Sequence, residues 1–205
     1  EGDGVLYPNP GYPIYESQIE YNGGKALPYR YIHSKEGFSI DREHFENMID
    51  KNTKLLVYNN YQNPIGGESS NDEMNWIADI AQKYNLWVLS DEAYFNIQYS
   101  GSPKSIVSLP GMKERTVILY TFSKTYAMTG WRLGWSFWPK ELVPHVNKLL
   151  INSVSCVNAA AQFAGIAALD GPDDSINEMM IKFTERRNLI YKLLNELPGV
   201  ECSLP

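Results

Sequence analysis

The sequence predicts an α/β fold in which a mostly parallel central sheet is flanked by helices. Three observations carry that expectation. The runs Lys54–Asn59 (KLLVYN) and Leu86–Ser90 (LWVLS) are near-continuous apolar segments of strand length, the pattern of strands covered on both faces. Between them Met74, Ile77, Ala78, Ala81 and Tyr84 recur at helical spacing behind Ser70-x-x-Glu73, a capping-box signature. A further β-branched and aromatic run, Thr116–Tyr120 (TVILY), follows a loop rich in Ser, Pro and Gly. Strands that alternate with helices argue for crossover connections and hence for parallel pairing.

The remaining elements follow in chain order. Val5–Tyr7 reads as a short strand, and Pro8-Asn9-Pro10-Gly11-Tyr12-Pro13 as a stiff turn, because proline fixes φ and Gly11 tolerates positive φ. Gln18–Gly24 reads as a second strand closed by a glycine turn, and Leu27–Ile32 as a further extended piece. Asp41 can cap a short helix reaching about Ile49, with Phe45, Met48 and Ile49 on its apolar side. Leu133–Trp138 reads as another strand, stopped by Pro139. From Glu141 to Leu169 the pattern is helical, with a break around Ser153–Asn158. Gly171-Pro172-Asp173-Asp174 stops one helix and starts the next, whose apolar face runs from Ile176 to Leu197. At 205 residues the chain would pass for one domain, or one and a fraction.

Bulk properties exclude several classes of function. The 205 residues are 43% hydrophobic and 20% charged, an ordinary balance for a globular chain with a substantial core. A net charge of −6 argues against nonspecific nucleic-acid binding, which depends on neutralising phosphates. No apolar run is long enough to span a bilayer and no secretory signal is visible, so a cytoplasmic protein is expected. Cys156 and Cys202 form neither a metal spacing nor a disulfide framework, and Cys156, in an apolar helical stretch, is expected to be a buried, inert thiol. His33 and His44 match no metal or triad pattern and are expected at the surface.

The chemistry concentrates around Lys124. It follows the Thr116–Tyr120 strand, with Ser123 beside it and Arg132 eight positions on between Gly130 and Gly134. A lysine amine can form a Schiff base, a serine hydroxyl can donate to a phosphate, and an arginine can grip one with its planar fork. The set suits a phosphorylated carbonyl cofactor. Gly130 and Gly134 are expected to let the backbone approach closely.

Three motifs, Asn63-Pro64-x-Gly66, Asp91-x-x-Tyr94 and Ser123-Lys124 through Arg132-x-Gly134, occur in one order with fitting separations and at predicted strand ends. Together they resemble the pyridoxal phosphate-dependent aminotransferases of class I/II, the aspartate aminotransferase superfamily of fold type I. Ile65 departs from that pattern, where a small hydroxyl residue is common. The resemblance implies the incomplete large domain of a fold type I transferase over 1–170 and the start of its C-terminal small domain over 171–205, with pyridoxal 5'-phosphate as cofactor and no metal. It implies Lys124 as the cofactor's partner and the general base and acid. Asp91 is then the group facing the ring nitrogen, Asn63 and Tyr94 the donors to the phenolate oxygen, and Ser123 and Arg132 the phosphate ligands. Tyr12 is the aromatic stacked on the ring.

The same resemblance implies transfer of an amino group from an amino acid to a 2-oxo acid, in a homodimer when the protein is full length. An aspartate or aromatic preference is a family-level expectation. A β-lyase or cyclase of the same superfamily is an alternative, as is the aminotransferase-like sensor domain of a transcriptional regulator. The family's upstream Gly-Ser/Thr helix start and its downstream carboxylate-binding arginine are not among these residues. The chain is accordingly expected to be an internal fragment with little or no turnover alone.

Overall fold

A computed structural model describes all residues from Glu1 to Pro205. The strands are β1 (Gly4–Asn9), β2 (Lys25–Ser34), β3 (Gly37–Ile40), β4 (Thr53–Tyr58), β5 (Trp87–Asp91), β6 (Thr116–Thr121) and β7 (Gly134–Phe137). The helices are α1 (Ile14–Tyr21), α2 (Arg42–Asn47), α3 (Asn71–Lys83), α4 (Phe122–Thr125), α5 (Val143–Ser153), α6 (Ala159–Asp170) and α7 (Asp174–Asn195). The seven strands form one sheet in the order β3-β2-β1-β4-β5-β6-β7. Its β2-β1, β1-β4 and β4-β5 pairs are parallel and its β2-β3 pair is antiparallel, a mostly parallel mixed sheet as the sequence predicts. No helix is long and apolar enough to cross a membrane.

Two compact units make up the chain. The first comprises residues 1–92, 104–118 and Pro205. Register explains its core: Leu27 lies opposite Leu6, Leu6 opposite Leu56, and Leu56 opposite Val88, so one buried apolar row crosses four strands. Met74, Ile77, Ala78 and Ala81 of α3 pack against that face, with Phe45 of α2. The opposite face carries Tyr7 and Val57 and is covered by Tyr15 and Ile19 of α1.

Helix α1 corrects the strand expected over Gln18–Gly24. The polar and apolar residues of Gln18-Ile19-Glu20-Tyr21 alternate like a strand, yet Tyr21 is 86% exposed and only Ile19 turns inward. Four residues apart, Tyr15 and Ile19 share the buried side of a helix, and Gly23 at φ 74° ends it. The capping box is half realised. Ser70 Oγ accepts from the Glu73 backbone N–H (3.1 Å), while the buried Glu73 carboxylate accepts from the Ile40 backbone N–H (2.6 Å) and ties α3 to β3. His33 is exposed beside Phe38, but His44 is half-buried with its Nδ1 shielded, because the capped turn of α2 folds it inward.

The second unit comprises residues 93–103 and 119–204. Its core is small: Phe122, Met128 and Leu133, with Tyr126, Ala164 and Ala168 against them. Gly165 permits this contact, since a Cβ there would lie 2.5 Å from Leu133 Cδ2. The break predicted around Ser153–Asn158 is present, and Asn158 Oδ1 caps α6 by accepting from the Ala161 N–H (3.1 Å). Cys156 sits in that break. It is exposed, contrary to the buried thiol expected, because the helical pattern on either side does not continue through it.

Candidate active site

In the first unit the candidate residues follow the carboxyl ends of parallel strands. Tyr12 lies just after β1, Asn63 just after β4, and Asp91 is the last residue of β5. Strand order reverses between β1 and β4, and such switch points are where open α/β sheets hold ligands. The structure ties these residues together through two that sequence reasoning passed over. Tyr15 Oη donates to Asp91 Oδ2 at 2.6 Å, within the range of hydroxyl-to-carboxylate bonds and worth about 1.5–3 kcal/mol. Asn59, buried at the end of β4, donates from Nδ2 to the Asp91 carbonyl (2.9 Å) and accepts at Oδ1 from the Asn63 N–H (3.1 Å).

The Tyr15 ring meets the half-exposed Tyr12 ring edge-on, with centroids 5.9 Å apart. Burial pushes the Tyr15 hydroxyl far above the ordinary phenol range, and the neighbouring Asp91 charge pushes it further. The Asn63–Gly66 turn is clasped by Gln62, which accepts from the Ile65 N–H and donates to the Pro10 carbonyl (2.7 Å). Ile65 therefore leaves the turn closed. Asn59 ends a strand run legible in the sequence, but nothing local sets it apart from Asn60 and Asn63. Tyr15 was hidden by reading part of its helix as a strand.

The second unit holds Tyr94, Ser123, Lys124 and Arg132. Thr121 ends β6 and caps α4, its Oγ1 accepting from the Ser123 N–H (3.1 Å) and donating to Ser123 Oγ (2.9 Å). Lys124 lies half-buried on α4, its Nζ 5.2 Å from the centroid of the Tyr94 ring. Thr129 Oγ1 donates to the Ser123 carbonyl (3.0 Å), and Arg132 Nη1 donates to the Thr129 carbonyl (3.0 Å), so one relay links the lysine segment to the arginine. Arg132 adopts φ 54°, a left-handed conformation unusual for a residue with a Cβ. Arg132 lines an open cleft of about 890 Å³ together with Trp131, Cys156 and Asn158. Gly134 is required for close packing, since a Cβ would lie 2.6 Å from the Tyr120 carbonyl oxygen. Gly130 is not, for it has open space around it.

The family model for class I and II aminotransferases matches residues 1–205. The chain belongs to that family. Aspartate aminotransferase of Musicola paradisiaca is 35% identical over 205 residues, covering 100% of this chain and 51% of the relative. The Bacillus subtilis enzyme of the same name is 34% identical over 209 residues, covering 100% and 52%. Among solved structures, alanine aminotransferase from Pyrococcus furiosus superposes with a TM-score of 0.91 at 36% identity, covering 100% of this chain and 53% of that one. Aspartate aminotransferase from Rhizobium meliloti gives 0.93 at 30%, covering 100% and 52%. The chain thus spans about half the length of the relatives it matches.

This family uses pyridoxal phosphate, and the donor set fits that group in kind. It offers a primary amine, an anchored carboxylate, amide and phenol donors, and a hydroxyl with an exposed guanidinium. No group of three or more metal-ligating side chains occurs.

Proposed function

We propose that this chain carries the cofactor-holding part of an enzyme that moves an amino group from an amino acid to a 2-oxo acid. The observation that carries the reading is the lysine segment: an amine over the Tyr94 ring, next in sequence to Ser123, whose carbonyl is linked through Thr129 to Arg132. When bound, pyridoxal phosphate supplies a carbonyl carbon that exchanges amines and a ring that accepts electrons. Lys124 Nζ would hold the cofactor's carbonyl carbon and would serve as the base and acid for the proton at the substrate Cα. The Asp91 carboxylate keeps the ring nitrogen protonated, since opposite charges favour each other's ionised forms. Asn63 and Tyr94 donate to the phenolate oxygen, Ser123 and Arg132 hold the phosphate, and Tyr12 covers the ring face.

Relatives named for aspartate and for alanine match over the same residues, which supports reading this stretch as holding what they share. Choice of substrate side chain then falls to other residues of a full-length enzyme. A large domain over 1–170, a second domain starting at 171, and a homodimer belong to the same reading. So does a cytoplasmic setting, which the two free cysteines support.

The test is a pyridoxal phosphate titration followed by absorbance, borohydride fixation and peptide mapping. Saturable uptake with the reduced adduct on Lys124, and its loss in Lys124→Ala, is expected. An adduct scattered over many lysines would sink the assignment.

A further inference from the structure

We infer that Tyr15 is a positioning residue for the cofactor ring, holding the Asp91 carboxylate with its hydroxyl and the Tyr12 ring with its edge. The inference rests on the reading of Asp91 as the partner of the ring nitrogen and Tyr12 as the cover of its face. Those two groups lie on separate segments, after β1 and at the end of β5, and neither is rigid by its own chemistry. Tyr12 is 47% exposed, and a carboxylate at a strand end can rotate about its side-chain torsions. Tyr15 touches both. It is 7% exposed, seated by Ile19, Tyr7 and Val57 in the small core under α1. Its bond to Asp91 joins positions 76 residues apart.

The chemistry of the contact suits a permanent clamp. Burial and the Asp91 charge keep the proton on the phenol throughout the physiological range, so Tyr15 is always the donor and the carboxylate always the acceptor. The donor fixes the orientation of the carboxylate that would face the ring nitrogen. Tyr15 thereby acts on the ring through Asp91 without reacting itself.

The experiment is a double-mutant cycle on the full chain, reading pyridoxal phosphate affinity and the pH midpoint of the bound cofactor's absorbance for the native chain, Tyr15→Phe, Asp91→Asn and the pair. Tyr15→Phe keeps the ring against Tyr12 and removes the donor. It is expected to weaken binding about tenfold in the native background and by less than about twofold beside Asp91→Asn. A ring nitrogen that loses its proton no longer repels the charge on the lysine nitrogen, so the absorbance midpoint moves up in Tyr15→Phe and further in Asp91→Asn. A loss that adds in full to that of Asp91→Asn overturns the inference. So does unchanged binding and midpoint in Tyr15→Phe while Asp91→Asn is impaired, and the reading of Asp91 then stands. An Asp91→Asn chain that behaves as native, or a native chain without saturable uptake, removes the underlying reading and this inference with it. Should Tyr15→Phe lose its cooperative unfolding transition, Tyr15→His keeps a ring and an N–H donor. Near-native affinity is expected of it, and a folded histidine variant as weak as Asp91→Asn overturns the inference.

Discussion

The two compact units differ in how they hold their functional side chains. In the first, Asp91, Asn63 and Tyr12 are tied by the side chains of Tyr15 and Asn59, both buried, at the ends of strands whose inner faces are sealed. In the second, Ser123 and Arg132 are held through backbone carbonyls and two threonines, Thr121 and Thr129, and α5 and α7 bury no residue. Leu149, Ile151, Phe163 and Ile181 are each more than half exposed. The groups read as facing the ring are therefore fixed by a packed frame, whereas the groups read as phosphate ligands depend on local turns. Few buried apolar contacts are the physical mark of a segment that opens at low cost.

The largest contrast should appear in the cores. Ile77, fully buried on α3, is expected to cost about 2–4 kcal/mol when cut to alanine, through lost transfer energy and the cavity left behind. Phe163, 74% exposed on α6, should cost less than about 0.5 kcal/mol. Urea unfolding of both variants measures this, and equal losses would erase the distinction between the units. Next in size is Glu73→Ala. It leaves the Ile40 N–H without its acceptor in a buried setting, for about 1–3 kcal/mol by the same measurement. Glu73→Gln, which keeps an acceptor, should recover most of that.

Arg132→Gly sharpens the comparison because two readouts should move in opposite directions. Glycine accepts φ 54° without the Cβ penalty, so stability should hold or rise by up to about 1 kcal/mol. Cofactor affinity should fall at least tenfold with loss of a charge-assisted phosphate grip. A destabilised variant would show that the guanidinium's bond to Thr129 matters more than the backbone strain.

How far the fold could be read from the sequence depended on how local each signal was. Strands β4, β5 and β6 announce themselves because burial on both faces makes them apolar throughout, and α3 because its cap and periodicity agree. Helix α1 was misread since a half-buried helix with two inward residues carries little periodicity, and four alternating residues imitate a strand. Lys124, Arg132 and Asp91 were legible as chemistry-bearing types in one order. Tyr15 and Asn59 were not, because their importance lies in contacts of 76 and 32 residues' separation that no local pattern encodes. Cys156 failed for the converse reason: its neighbours in sequence are apolar, but the chain there leaves the helix and turns the thiol outward.

The smallest effect expected is a pH dependence confined to the first unit. Glu92 follows Asp91 and is buried, and burial pushes its carboxyl above the usual carboxylate range. Hydroxyls of Ser105 and Ser90, both donating to its Oε1, oppose that rise, and the Asp91 charge adds to it. With the folded value above the unfolded one near 4.5, the native state binds more protons than the unfolded state between the two, so stability falls as pH rises through that window and levels off above it. Asp41 works in the opposite sense. The His44 N–H, then Arg30, holds it below 3.8, so its contribution is present above that pH and lost as pH falls through its folded value. Glu92→Gln leaves Asp41 untouched. The stability of that variant minus the native value should therefore climb from about pH 4 and then plateau, in urea midpoints taken from about pH 4 to 7. A difference that stays level or declines would mean the two serine hydroxyls outweigh burial, and that the first unit's frame accommodates charge as readily as it excludes water.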